Sequence, residues 1–319
     1  MMMAVHTSSG GDMHFPLGAA FDLDSPAAYA RWRESKLDGY PVRSDQLLVE
    51  IADLRALSPA EHEELVRICA KTNSVIYASG ADGAGDKGKT LALGRQLGLE
   101  HLDGNLCADE DSISALQVMP GGSRHEGYIP YTDRPINWHT DGYYNEPHAR
   151  IRGMLLHCAC DAASGGENAL LDHEIAYILM RDENPDYVAA LMQPDVMTIP
   201  PNVENGVELR AAQTGPVFMV EPGTGNLYMR YTARKRNIEW KQDPMTQAAV
   251  AFMERLFEAG SPYIFHHRLE PGQGIISNNA LHNRTGFRDD AAAGKQRLIY
   301  RGRYYDRVRG TDFSQIYGE

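Results

Sequence analysis

Asn137-Trp-His139-Thr-Asp141 sets an imidazole and a carboxylate two residues apart. Side chains alternate along an extended chain. If residues 136–141 form a strand, Asn137, His139 and Asp141 therefore share one face, and His139 and Asp141 can reach one metal ion from the same side. A second histidine, His282 in Asn278-Asn-Ala-Leu-His282-Asn-Arg, follows a run that also reads as a strand, residues 274–277. Two histidines and one carboxylate leave three coordination positions open, a ligand set suited to non-haem Fe(II) and O2. A zinc hydrolase more often adds a third histidine or a general-base glutamate, and neither is evident here. Alone, His-x-Asp recurs by chance and a lone histidine is usually structural, so the pair gains its weight from His282.

Downstream, Gln296-Arg297-Leu-Ile-Tyr-Arg301-Gly-Arg303 reads as a strand with Arg297, Ile299, Arg301 and Arg303 on one face. Buried guanidinia need anionic partners, because unpaired buried charge is costly. Arginine grips a carboxylate through a two-pronged fork, so a dicarboxylate cofactor is one such partner. Salt bridges to the 43 acidic residues on an exposed face are the plain alternative.

Two other patterns compete. Gly83-Ala-Gly-Asp-Lys-Gly88-Lys89-Thr90 matches a phosphate-binding loop literally, but Asp82 and Asp86 stand where phosphate must sit. The chain also lacks the alternating strand–helix units that hold a nucleotide. His101-Leu-Asp103 has metal-ligand residue types but lies in a polar stretch, which reads as a solvated loop.

The elements that must position these groups are short. Ser58-Pro-Ala-Glu61 carries the signals of a helix start: a capping serine, a proline in the first turn and a glutamate three residues on. Residues 74–79 read as a strand, followed by a helix near 90–97. From residue 113 onward short β-leaning runs dominate, at 113–119, 136–141, 153–160, 169–171, 196–199, 217–220, 227–231, 263–268, 274–277 and 297–304. Helical insertions fall near 173–180 and 245–259. Many short strands with turns between them predict a sandwich or barrel, not a parallel sheet. The expected organisation is a flexible arm over residues 1–24 and one domain over 25–319, with a helical part at about 50–100 and a β core at about 113–305.

Composition narrows the class. The chain has 319 residues, 43% hydrophobic and 23% charged, which is globular and not disordered. A balance of 31 basic against 43 acidic residues, net −12, disfavours a nucleic-acid binder yet permits anionic small molecules held by local arginines. The four cysteines lack CxxC spacing, and Cys158 and Cys160 read as strand residues. No secretory leader and no run of about 18 apolar residues is visible. A cytoplasmic protein acting on a small molecule is expected, without nucleic-acid or membrane partners; a homo-oligomer is compatible with the composition.

Taken in order, these motifs resemble the TauD/TfdA-like group of Fe(II)/2-oxoglutarate-dependent dioxygenases, in the clavaminate synthase-like superfamily. NWHTDGYY carries the His-x-Asp pair, Ser164-Gly-Gly-Glu-Asn168 the glycine turn, LHNR the distal histidine and QRLIYR the arginine end. Residues 74–80, SVIYASG, and the helix ending at Leu97-Gly98 are similar to the family's first strand and helix. The likeness spans roughly residues 70–305.

The resemblance implies a mainly β fold with helical insertions, built on a double-stranded β-helix (jelly-roll) core. It implies Fe(II) on His139, Asp141 and His282, and 2-oxoglutarate and O2 as co-substrates. The 2-oxoglutarate 5-carboxylate falls to Arg297, with Asn168 standing where the family often has threonine. Arg301 belongs nearer the iron end, at the 1-carboxylate or an anionic substrate group. Tyr143 and Tyr144 are placed to line the substrate pocket, even to face a cationic ammonium. Arg124, His125 and Tyr128 lie in a loop where relatives carry substrate or lid residues, and Asn137 shares the iron face. The implied reaction is hydroxylation of an unactivated C–H bond of a small polar or anionic metabolite, with release of succinate and CO2. Because Asp141 keeps its carboxylate, halogenation is disfavoured. A nucleotide-binding protein using residues 83–90 and a catalytically inactive jelly roll are the alternatives.

Overall fold

A computed structural model describes residues 16–104, 112–119, 128–204 and 206–318. Two antiparallel-rich sheets carry the candidate site. In the larger, the strands run Leu48–Glu50, Ser74–Ala78, Gln273–Ser277, Gly153–Cys160, Leu298–Tyr304 and Ser114–Leu116, with only the first pair parallel. In the smaller, the order is Phe265–His267, Asn168–Leu171, Leu281–Arg284 and Ile136–His139, all antiparallel. From Ile136 onward the chain passes from one sheet to the other: Gly153–Cys160 leaves the smaller for the larger, Asn168–Leu171 returns, and Gln273–Ser277, Leu281–Arg284 and Leu298–Tyr304 repeat the exchange. Central strands of the larger sheet bury nearly every side chain, which is why residues 74–78 and 153–158 read as continuous apolar runs and do not alternate.

Helices cover these sheets. The capping box at Ser58 forms: Ser58 N donates to Glu61 Oε2 at 2.6 Å and Glu61 N to Ser58 Oγ at 3.3 Å, opening the helix Pro59–Thr72. The helices His173–Glu183, Pro185–Leu191 and Pro244–Ala259 form the main insertions, and Trp138 stacks on Phe257 of the last at 4.9 Å, tying it to the strand that bears His139. Among the described residues no helix is long and apolar enough to cross a membrane.

Within the expected arm, residues 19–21 are folded and packed. Ala19–Phe21 forms a turn of 3-10 helix, and Phe21 lies 1% exposed among Trp32, Tyr177 and Phe313. The helix behind it, Pro26–Leu37, is tied down by Lys36, whose buried ammonium bonds Asp172 Oδ2 at 2.8 Å and pairs with Glu174. The sequence reading has no place for that helix, because its apolar residues follow no helical face; nor for the exposed hairpin Asn202–Glu204/Val207–Arg210.

Candidate functional site

The strands Ile136–His139 and Leu281–Arg284 pair so that His139 lies directly opposite His282, their ring centroids 4.3 Å apart. Each imidazole is oriented by its own strand: His139 Nδ1 bonds the Asn137 carbonyl at 2.9 Å and His282 Nδ1 the Ala280 carbonyl at 3.0 Å. A carbonyl can only accept, so these bonds put the proton on Nδ1 and leave both Nε2 lone pairs for a metal.

Asp141 does not share a strand face with His139, contrary to the alternation argument. The strand ends at His139, and Asp141 begins a turn. Asn279 brings it back. This buried residue sits in the left-handed region at φ 53°; its Oδ1 accepts from Asp141 N at 2.7 Å, and its Nδ2 donates to Asp141 O at 2.9 Å and Ile151 O at 2.7 Å. Asn279 was invisible as a site residue; the available signal was an Asn-Asn doublet three residues before His282, since asparagine tolerates that backbone region and bonds main chain.

One ligand atom from each of His139, Asp141 and His282 lies within 4.8 Å of the others. Asp141 Oδ2 is buried with no partner among the described residues, while Oδ1 faces Arg301 Nη1 at 3.4 Å. Burial acts to raise the Asp141 pKa, but Arg301, Arg303 and the two imidazoles outweigh it and hold it below the carboxylate range. Burial also pushes both histidines below their ordinary value. Neutral imidazoles beside an ionised, half-unpartnered carboxylate are the protonation state a divalent metal requires, so the donor set fits Fe(II).

The arginines take separate places. Arg297 is 6% exposed and has no carboxylate partner among the described residues; its guanidinium lies over the Phe287 ring at 5.1 Å. Burial lowers its pKa to about 10. Gly165 and Gly166 both adopt positive φ, 74° and 75°, where a Cβ on Gly165 would strike the Gly286 carbonyl and one on Gly166 would stand 3.3 Å from Arg297 Nε. The glycine turn thus leaves room beside that guanidinium. Asn168, two residues on, is buried with its Nδ2 unpartnered. Arg284, not singled out in the sequence, covers the same Phe287 ring at 4.8 Å and donates to the Thr132 and Arg134 carbonyls. Burial first, then the charge of Arg297, lowers its pKa to about 9. Two buried like charges and an orphaned amide make a pocket for an anion. Arg303 instead pairs with Asp103 and donates to Tyr144 Oη at 2.7 Å.

Tyr143 is 6% exposed and meets Tyr144 edge-on at 5.0 Å. Guanidinia lie over both rings, Arg234 over Tyr143 at 5.8 Å and Arg210 and Arg303 over Tyr144 at 5.7 and 5.8 Å. The Asn137 side chain points to solvent while its carbonyl orients His139. Tyr128 lies on the surface, 37% exposed. Arg124 and His125 lie outside the described residues. Asp103 is not solvated as expected but is the buried acceptor for Arg303 and Tyr305, whereas His101 is exposed and pairs with Asp306. In the phosphate-loop match, Lys89 Nζ bonds the Asp82 carbonyl at 2.9 Å, and Asp86 caps the helix Lys87–Gln96 through Gly88 N at 2.9 Å. The lysine and the helix end that would hold phosphate are already engaged, so nucleotide binding there is not favoured.

A pair of packed sheets presenting two histidines and an aspartate beside buried arginines is the architecture of an iron oxygenase. The family described as taurine catabolism dioxygenase TauD, TfdA family matches residues 41–303, and the chain belongs to it. It is 28% identical over 198 residues to a uridine-5'-phosphate dioxygenase from Amycolatopsis sp, a match covering 59% of this chain and 67% of the relative. Among solved structures it resembles an asparagine oxygenase in complex with Fe(II), 2S,3S-3-hydroxyasparagine and succinate, with TM-score 0.57 and 16% identity over 79% of this chain and 81% of that one. It also resembles the non-haem iron oxygenase OrfP with Fe and alpha-ketoglutaric acid, with TM-score 0.55 and 15% identity over 78% and 80%. By family the chain is an Fe(II)/2-oxoglutarate-dependent dioxygenase, with O2 as co-substrate.

Proposed function

We propose that the protein hydroxylates an unactivated C–H bond of a small, polar, anionic metabolite, turning 2-oxoglutarate and O2 into succinate and CO2 as it does so. The observation that carries this reading is the convergence of three ligand atoms within 4.8 Å, with both Nδ1 atoms tied to carbonyls and Asp141 Oδ2 left unpartnered. His139, Asp141 and His282 would hold Fe(II), Arg297 and Asn168 the distal carboxylate of 2-oxoglutarate, and Arg301 the iron end. The passage of the chain between two sheets supports a jelly-roll core within one domain that begins near Ala19. A relative named for uridine-5'-phosphate and a structural neighbour bound to hydroxyasparagine both point to a small substrate with an anionic group.

Bound iron supplies the oxidising power by activating O2 at the expense of 2-oxoglutarate. The chain supplies the rest. Burial keeps both imidazoles neutral, backbone carbonyls aim them, and Asn279 fixes the turn that presents Asp141. Arg297 holds the co-substrate by a fork that lysine cannot reproduce. Tyr143, buried two residues after Asp141, would help keep water from the reacting carbon.

The test is spectroscopic. Fe(II) with 2-oxoglutarate, without oxygen, should give a weak visible charge-transfer band, and His139→Ala, Asp141→Ala and His282→Ala should each lose it while remaining folded. Asp141→Ala retaining iron affinity and turnover would overturn the assignment. Succinate formation against a panel of amino, sulfonic, phosphorylated and quaternary-ammonium acids then identifies the substrate and separates an active enzyme from an inactive jelly roll.

A further inference from the structure

The segment after Tyr231 runs beside the strand that bears His139. Thr232 pairs with His139, Ala233 N bonds the Trp138 carbonyl at 2.8 Å, and Thr140 N bonds the Tyr231 carbonyl at 3.0 Å. In that antiparallel register Arg234 falls opposite Asn137, on the same face as Thr232 and His139. Thr232 hydrogen-bonds the Tyr143 hydroxyl, and Arg234 covers the Tyr143 ring. From the other side Arg210, at the end of the exposed hairpin, covers Tyr144. Its guanidinium is placed by the Pro200 carbonyl at 2.6 Å and the Ala211 carbonyl at 2.9 Å. Two guanidinia thus flank the tyrosine pair that follows Asp141.

Neither has a carboxylate partner among the described residues. Arg234 opens an exposed basic run, Arg234-Lys235-Arg236, on a chain of net charge −12 in which Arg301 and Arg303 at the site each face a carboxylate. A run of cations left unpaired beside an oxidising centre, on an acidic protein, concentrates anions there.

We propose that Arg210 and Arg234 form an outer anion subsite that takes the phosphate group of a phosphate monoester, anchoring the substrate while its remote carbon faces the metal ligands. This inference rests on the proposed function for the location of that centre. One guanidinium satisfies both oxygens of a carboxylate; two guanidinia, both close enough to Tyr143 to act on its hydroxyl electrostatically, suit the three terminal oxygens and double charge of a phosphate monoester better. The subsite shares no residue with the Arg297 pocket at the glycine turn, which the proposed function gives to the co-substrate. Binding energy gathered at such a remote group orients the reacting carbon.

The experiment titrates inorganic phosphate, with acetate as the comparison, into the full chain loaded anaerobically with Fe(II) and 2-oxoglutarate at low ionic strength, by calorimetry. Saturable phosphate binding is expected, with acetate much weaker. Arg234→Gln and Arg210→Gln should each weaken it about tenfold and the double variant should abolish it, while the visible iron band stays in place. Arg234 is exposed and makes no hydrogen bond among the described residues, so its variant tests the idea without risk to folding. Absence of saturable phosphate binding, equal affinity for acetate, or wild-type affinity in the double variant would overturn the subsite. The fold and not the metal holds both guanidinia, so the titration gives the same answer on metal-free chain. A missing iron band therefore sinks the proposed function alone.

Discussion

The loop at residues 83–90 and the cluster of His139, Asp141 and His282 are both polar, both sit at strand ends and both match a chemical pattern in sequence. They differ in where their polar atoms spend their bonds. In the loop, Lys89 closes on the Asp82 carbonyl, while Asp86 caps a helix and pairs with Arg55 at 2.7 Å. In the cluster, each histidine bonds backbone with one nitrogen and keeps the other free, and Asp141 Oδ2 bonds nothing among the described residues. The same contrast separates Arg303, paired with Asp103, from Arg297, buried with no carboxylate partner among the described residues. A buried polar atom left without a partner is costly unless something arrives to meet it, so unmet bonds locate the site better than residue types do.

The largest effect that comparison forecasts falls on Arg297. Losing one partner of a desolvated charge pair costs about 2–5 kcal/mol, roughly 30- to several-thousand-fold in affinity. Arg297→Lys should raise the dissociation constant for 2-oxoglutarate by an amount in that range while leaving iron binding intact, measured by titrating the visible band. Arg301→Lys should act less on 2-oxoglutarate, because Arg301 already faces Asp141. Equal, small effects from both would return the arginine row to a structural role.

Much of this was legible. Spacing and order single out His139, Asp141 and His282, which converge within 4.8 Å, and the capping box and the strand Gly153–Cys160 form where predicted; Arg297 stands out only through the family resemblance. Alternation gave the wrong reason for Asp141, because a strand cannot be known to end at His139 until its partner strand is seen. Asn279 and Arg284 stayed hidden for the same cause: what they do depends on a turn and a carbonyl pair more than 130 residues away in sequence. Asp103 read as a solvated loop because its partner, Arg303, is 200 residues distant.

Asn279 gives the intermediate effect. Replacing it with alanine removes three hydrogen bonds to main chain, each leaving a buried group that costs about 1–3 kcal/mol unpaired. It also forces a β-carbon without local bonding into the left-handed region. Iron affinity should fall about 10–100-fold, the usual consequence of losing a residue that orients a ligand. Asn279→Gly relieves the backbone strain but not the lost bonds, so it should recover stability without recovering iron affinity, measured by metal titration well below each variant's melting temperature. Full recovery of affinity in the glycine variant would assign Asn279 to backbone conformation alone.

The smallest effect belongs to the loop. Lys89 is bonded to a carbonyl of its own turn at the surface, and surface changes of that kind usually move stability by no more than about 0.5 kcal/mol. Lys89→Ala should therefore melt almost where the parent does. A ligand that binds only the native state stabilises it in proportion to the logarithm of one plus its concentration over its dissociation constant, so a loop with a dissociation constant near 10 μM would gain about 2.7 kcal/mol from 1 mM ATP. With Asp86 occupying the helix end that phosphate needs, magnesium and ATP should give no such gain in either protein, read as a thermal shift. A magnesium-dependent shift in the parent that vanishes in Lys89→Ala would break the comparison, because it would show that internally bonded donors can still be released to a ligand. The absence of one, beside loss of the iron band in His282→Ala, would place the chemistry where the unmet bonds are.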